Sequence, residues 1–332
     1  MTEYFHGNVK MESKIEQKYL GDILSSDGRH TKNVQDRRNK GYGIINQIMQ
    51  ILESTYFGKY YFQVATILKK SLFLSSILLN SEAWVNYSDK DIRILEQCDE
   101  LLLTAILDCD QKSSNAFKYL ELGIIPIRFE IMKRKLMFLQ YILKQDKHSM
   151  VYNILKVTNE NPTKNDFVYT CRKYMEILKM NVTFEELEKM SKMQLRNILH
   201  EKIKYEALMY LKNQQSKQEK IRNVVYSELK MQDYLQEGDR NTAVSKVIFK
   251  ARGQTLDIKM QKRWKYDDIK CEGCHENSET GQEILQCKNL GENENLVDYT
   301  WFFSESMSKQ ISAGKLMIRK LKKRKMIRDA VT

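Results

Sequence analysis

The chain has 332 residues, 42% of them hydrophobic and 30% charged, with a formal net charge of +12. That length and apolar content suffice for cores in two or three domains, and only 2 prolines and 13 glycines favour long helices over an all-β fold. No apolar run is long enough to span a membrane, and the start, MTEYFHGNVKMESK, lacks the apolar centre of a signal peptide. The cysteines, with Cys98, Cys109 and Cys171 scattered, do not form a secreted disulfide framework. The expected location is therefore nuclear or cytoplasmic, not secreted. The positive charge is concentrated in Lys315, Arg319, Lys320, Lys322, Lys323, Arg324, Lys325 and Arg328, a stretch with no acid in it. Phosphate affinity is expected there, and a solvated terminus or a nuclear localisation signal is the alternative.

Residues 16–25 (EQKYLGDILS) read as a short strand or hairpin arm, followed by a Ser26-Asp27-Gly28 turn. A helix is expected from Lys32 to Leu52, burying Ile44, Ile45, Ile48, Met49 and Leu52. Its first half carries Arg37, Arg38 and Lys40, which periodicity alone assigns to solvent. Lys59 to Asn80 reads as a buried helix pair or one long core helix. Ser88 caps the next helix with Asp91 as its partner, and Ile92, Leu95, Cys98, Leu102 and Ile106 mark the buried face. Tyr87-Ser88-Asp89-Lys90-Asp91 is a helix start and not a metal-binding polymerase motif.

Phe117 to Lys144 organises the rest. Gly123 permits a turn, Pro126 suits the start of a helix, and Phe129, Met132, Leu136, Leu139, Ile142 and Leu143 make one apolar stripe. Such a helix belongs at the centre of a helical array, with Arg128, Lys133, Arg134, Lys135 and Lys144 on a solvated face or, alternatively, facing an acidic partner. After a loop around Pro162, helices resume over Phe167–Lys179, after a Thr183/Glu186 capping box, after Ser191, over Lys217–Gln236, and from Arg240-Asn241-Thr242 to near Gly253.

Cys271-Glu-Gly-Cys274 and Cys287 are the metal-like constellation. Paired thiolates two residues apart suit one side of a tetrahedral zinc, and any such ion would be structural. His275 is available as a fourth donor, although adjacent ligands strain the geometry, and Glu279 or Glu283 would be weaker substitutes. Free thiols are the competing reading. Trp264 and Tyr266, among Lys259, Lys262, Lys265 and Lys270, could stack bases and hold phosphates, or pack the cysteine segment against the preceding helix. No Gly-rich phosphate loop, paired catalytic aspartates or nucleophile–base set is recognisable.

Three segments carry a family resemblance. Lys18-Tyr19-Leu20-Gly21 with Ser25-Ser26-Asp27-Gly28, then Tyr119-Leu-Glu-Leu-Gly123 with Ile-Pro-Ile-Arg128 and its helix, then the Cys271/Cys274 pair, resemble in order the C-terminal region of LINE-type (non-LTR) retrotransposon reverse transcriptases. The resemblance covers nearly the whole chain. It implies a mainly α fold, a multi-helix array with a short N-terminal β remnant and a small C-terminal zinc-knuckle-like module. The implied segments are a palm remnant (1–30), a helical thumb-like domain (31–157), a helical linker domain (158–258), and the knuckle with its basic tail (259–332). The partners implied are RNA, DNA and the upstream polymerase core, with Arg37, Arg38 and Lys40 where the thumb grips the duplex. The polymerase aspartates would lie upstream of Tyr19, so this chain is expected to be inactive alone. The resembled knuckle takes its fourth ligand at the position of Gln282, so the site is either rebuilt around His275 or decayed. The other reading is a helical interaction or scaffold protein with no nucleic-acid role.

Overall fold

The computed structural model describes residues 4–6, 9–11, 15–19, 21–164, 166–222, 224–236, 242–262, 265–266, 268–291 and 297–331. Leu20, Arg240, Asn241 and Trp264, singled out in the sequence, lie outside the described residues. In chain order the elements begin with strands β1 (Tyr4–His6), β2 (Val9–Met11), β3 (Glu16–Tyr19) and β4 (Asp22–Ser25). The helices that follow are α1 (Thr31–Ser54), α2 (Tyr61–Leu68), α3 (Leu74–Ile77), α4 (Asp89–Leu107), α5 (Asn115–Leu122), α6 (Ile127–Leu143) and α7 (Met150–Glu160). Then come α8 (Phe167–Ile177), α9 (Phe184–Lys189), α10 (Lys192–Ser216), α11 (Asp233–Gln236), α12 (Thr242–Arg252), α13 (Gly281–Gln286) and α14 (Met307–Val331). The chain is mainly helical, with two antiparallel hairpins at its start, β1–β2 and β3–β4. Two compact units alternate along the sequence: Met1–Gln47, Lys69–Asp99 and Ile125–Ala207 form the first, and Ile48–Leu68, Glu100–Ile124 and Leu208–Thr332 the second.

In the first unit the expected hairpin arm is β3–β4, with Glu16 opposite Ser25 and Tyr19 opposite Asp22. Asp22 fastens it. Its carboxylate accepts from Arg37 Nη2 at 2.6 Å, Asn33 Nδ2 at 3.0 Å and Asn80 Nδ2 at 2.9 Å. Arg37 also donates to the Gly21 carbonyl at 2.8 Å and is 2% exposed. Its assignment to a solvated, ligand-gripping face is therefore corrected: a guanidinium enclosed by a carboxylate and carbonyls is structural. Over Lys59–Asn80, expected as a helix pair or one long helix, a π turn at Lys69–Phe73 separates α2 from α3. Lys69 there meets Asp99 in a buried ion pair, Nζ to Oδ1 2.7 Å.

The local caps stand as the sequence reads. Ser88 and Asp91 exchange hydrogen bonds at the start of α4. Thr183 with Glu186 forms a capping box on α9, and Ser191 with Gln194 does the same for α10. Pro126 is the N-cap of α6, whose expected stripe is buried and packs against α7, α8 and α9. Each fully buried Leu or Phe in it contributes roughly 1.5–3 kcal/mol. Lys144 is exposed, as the solvated reading has it, while Arg128 takes the acidic partner and Arg134 and Lys135 follow neither reading. Arg128 grips Glu96 with two bonds, at 2.6 and 2.9 Å. Arg134 donates to the Leu78 carbonyl at 2.6 Å, just beyond the end of α3. Lys135 is fully buried on the Trp84 carbonyl with its ammonium 4.8 Å from the Phe167 ring centre, and burial lowers its pKa to about 8. Long cationic side chains reach main-chain carbonyls that periodicity does not reveal.

In the second unit α5 ends at Gly123, with φ 63°. A Cβ there would lie 2.1 Å from the Lys230 carbonyl carbon, so only glycine permits the close approach. The approach includes an antiparallel bridge between Leu122 and Met231 and a bond from Gln232 N to the Glu121 carbonyl at 2.9 Å. This pairing is why the helix expected over Lys217–Gln236 is reduced to α11. Gln215 donates to the carbonyls of Ile221 and Val224 at 2.6 and 2.7 Å, and Tyr226 is drawn to Glu121. Glu121, fully buried, also accepts from Tyr234 Oη at 2.5 Å and from Arg252 Nε and Nη2 at 3.1 and 3.0 Å. Ala313, Leu316 and Met317 of α14 are buried, and this helix packs along α12.

Candidate metal centre

The cysteine segment is built by a tight hairpin, in which Lys270 bridges Ser278. Cys271 N donates to the Asn277 carbonyl at 2.8 Å and Glu279 N to the Ile269 carbonyl at 2.7 Å. Gly273 is required between the first two cysteines, since a Cβ there would lie 2.9 Å from Cys287 Sγ. Its N–H points at Cys271 Sγ at 3.4 Å. Thr280 caps α13 by accepting from Glu283 N, and α13 delivers Glu283 and, at its end, Cys287.

The donor atoms of Cys271, Cys274, Glu283 and Cys287 lie within 4.8 Å of one another. A tetrahedral ion with bonds of about 2.3 Å to sulfur would hold its donors roughly 3.5–4 Å apart, so small side-chain rotations suffice. Three thiolates and a carboxylate fit such an ion. Cys271 is fully buried, and burial pushes its thiol up to about 12, so an anionic sulfur there calls for a compensating cation. Cys274 Sγ donates to Glu283 Oε1 at 3.3 Å.

The fourth donor in the cluster is Glu283, and His275 lies outside it. His275 turns at φ 56° to return its N–H to the Cys271 carbonyl, and its side chain is exposed. Gln282 also faces elsewhere, accepting from Tyr299 N at 2.7 Å. Glu283 was recognisable in the sequence only as a secondary choice, although it lies four residues before Cys287. On a helical turn that spacing brings two side chains together.

Glu279 is not in the cluster but supports it. It is fully buried, accepts from Lys259 N at 2.9 Å and Glu272 N at 3.2 Å, and meets Arg324 Nη2 at 2.7 Å. Lys320, also buried, donates to the carbonyls of Cys287 and Gly291, each at 2.8 Å. The basic segment is therefore not a loose tail. It is the last half of α14, and two of its cations hold the cysteine module in place. Arg328 lies beside it, Nη1 to Tyr266 Oη 3.4 Å.

Of the other cations of α14, Lys309, Lys315, Arg319, Lys322, Lys323 and Lys325 are exposed. Lys315, Arg319, Lys322 and Lys323 fall on one face, at steps of four, three and one residue. Lys265 is exposed beside Asp257 at 3.6 Å, with its ammonium 5.6 Å from the Tyr266 ring centre. In the first unit Lys40 pairs with Asp36 at 2.6 Å, and the Arg38 guanidinium lies 5.9 Å from the Tyr42 ring centre. No helix among the described residues is long and apolar enough to cross a membrane. Comparison with protein-family models, with curated proteins and with solved structures finds no match to this chain.

Proposed function

We propose that the chain is the nucleic-acid-binding C-terminal portion of a LINE-type reverse transcriptase, gripping template RNA or an RNA–DNA hybrid by its phosphates for a polymerase centre carried on other residues. The supporting observation is the division of α14 by face: Lys320 and Arg324 are buried against the cysteine module, while Lys315, Arg319, Lys322 and Lys323 form an exposed stripe on the same helix. A rigid row of cations suits a regular polyanion, and phosphate contacts carry no base sequence. The Cys271, Cys274, Cys287 and Glu283 cluster is assigned a structural zinc, whose role is to fix the base from which α14 projects.

Removing everything after Ala313 would also remove Leu316, Met317, Lys320 and Arg324 from the interior, so the test is a surface variant. With Lys315, Arg319, Lys322 and Lys323 all changed to glutamine, binding to a labelled RNA is expected to lose its steep salt dependence. Four phosphate contacts correspond to a fall of roughly 50- to 150-fold between 50 and 200 mM salt. Unchanged affinity and slope in the variant would sink the reading.

For the metal, plasma emission analysis should find one zinc per chain. Cys274→Ser and Glu283→Ala should each lower retention against a chelator, while His275→Ala should not. Equal loss in all three, or in none, would remove the assignment of Glu283.

One observation favours the second reading, an interaction protein. Met150, Val151, Ile154 and Val157 make an exposed apolar stripe on α7. Salt-sensitive RNA binding decides between the two.

A further inference from the structure

We propose that the first unit holds a second nucleic-acid site of different chemistry: a groove along α6 that takes one base of a single strand, stacked on Tyr141. The groove encloses about 570 Å³, within the range of small-ligand sites. Met137, Phe138 and Tyr141 line it together with Lys133, Lys144 and Lys192.

The aromatic floor is a ladder. Lys135 lies over Phe167 at 4.8 Å, and Phe167 meets Phe138 edge-on at 5.9 Å. Phe138 in turn lies nearly parallel to Tyr141, with centres 5.9 Å apart and an interplanar angle of 13°. The inner rings fix the plane of the outer one. Tyr141 is 59% exposed, so much of this oriented side chain is open to solvent. A stacked base has no sequence requirement, because every base has a π-face.

The rim supplies the charge. Lys144 is one turn beyond Tyr141, and its ammonium donates to the Met190 carbonyl, which anchors it near Lys192 at the start of α10. Lys133 and Arg134 stand toward the other end, where Glu82 and Glu130 also line the groove. Phosphates flanking the stacked base therefore belong at the Lys144–Lys192 end. An apolar peptide would leave these lysines without a counterion, and a duplex would keep its bases from the ring. A single-stranded polynucleotide satisfies both the ring and the rim.

This site rests on the reading of the chain as a nucleic-acid-binding protein, but not on the α14 stripe. The experiment uses the full chain with a twelve-nucleotide single strand carrying 2-aminopurine, read by fluorescence quenching and by anisotropy. Wild type should quench the probe. Tyr141→Ala should lose the quenching and weaken binding by about 5- to 150-fold, with little change as salt is raised. Tyr141→Phe should behave as wild type, and a fully paired duplex should bind the alanine variant unimpaired. Wild-type quenching and affinity in Tyr141→Ala, or equal loss on the duplex, would overturn the groove while leaving the α14 reading standing. If the α14 glutamine variant still quenches the probe, the groove is upheld, and the α14 reading fails only if that variant also keeps the wild-type affinity and salt slope. No binding of any oligonucleotide by wild type overturns both.

Discussion

Arg252→Met should destabilise the protein by about 3–5 kcal/mol, because it leaves an ionised Glu121 in the interior with no cation beside it. Glu121 is fully buried and receives two bonds from Arg252, at 3.1 and 3.0 Å, and one from each of Tyr226 and Tyr234, both at 2.5 Å. The two tyrosines cannot neutralise it. Burial and the adjacent carboxylate push both phenols well above their ordinary range, so they act only as neutral donors. A loss of this size should appear in urea unfolding as a lower midpoint at similar slope. Changing Glu121 to leucine in the same chain should recover part of the loss. Recovery stays incomplete because each tyrosine hydroxyl then lacks its acceptor, at about 1–3 kcal/mol apiece. A single variant as stable as wild type would mean that the node does not act as an ion pair.

The second large effect is expected at Arg324. Arg324→Met leaves Glu279 with its two backbone donors, from Lys259 and Glu272, but without the guanidinium 2.7 Å away. Removing one partner of such a pair costs roughly 3–5 kcal/mol where nothing replaces it, and the backbone donors should hold the loss toward the lower end. The informative readout is zinc retention, since Glu279 ties the turn at Lys259 to the backbone at Glu272, next to Cys271. Arg324→Met should release zinc to a chelator faster than wild type although no donor to the metal has changed. Lys322→Met, on the exposed face of the same helix, should not. Equal release rates in all three proteins would separate the tail helix from the metal module.

Local signals carried most of the sequence reading. Ser88 with Asp91, Thr183 with Glu186, and Pro126 before its apolar stripe each act within a few residues, and each marks a real helix start. The failures have a common cause. Arg37 lies on α1 beside the cations Arg38 and Lys40, but Asp22, which captures it, is on the preceding hairpin. Lys320 and Arg324 share a basic run with Lys322 and Lys323, and their carbonyl and carboxylate partners are far back in the chain. Periodicity reports which residues share a face, but not whether that face meets a carboxylate. The segment after Ser216 has helical periodicity as well, and the pairing of Met231 with Leu122 overrides it. At the cysteines the spacing identified the sulfurs, while the choice of Glu283 over His275 depended on the left-handed turn at His275.

The alternation of the two compact units along the sequence bears on how the protein is made. The first unit ends with Ala207, and the second draws on segments as early as Ile48 and as late as the C-terminal helix. A ribosome releasing this chain in order therefore exposes apolar side chains of the second unit, such as Phe62, Ala65 and Leu103, well before the residues that complete their unit have been synthesised. The second unit can close only once its last segment, Leu208–Thr332, has left the ribosome.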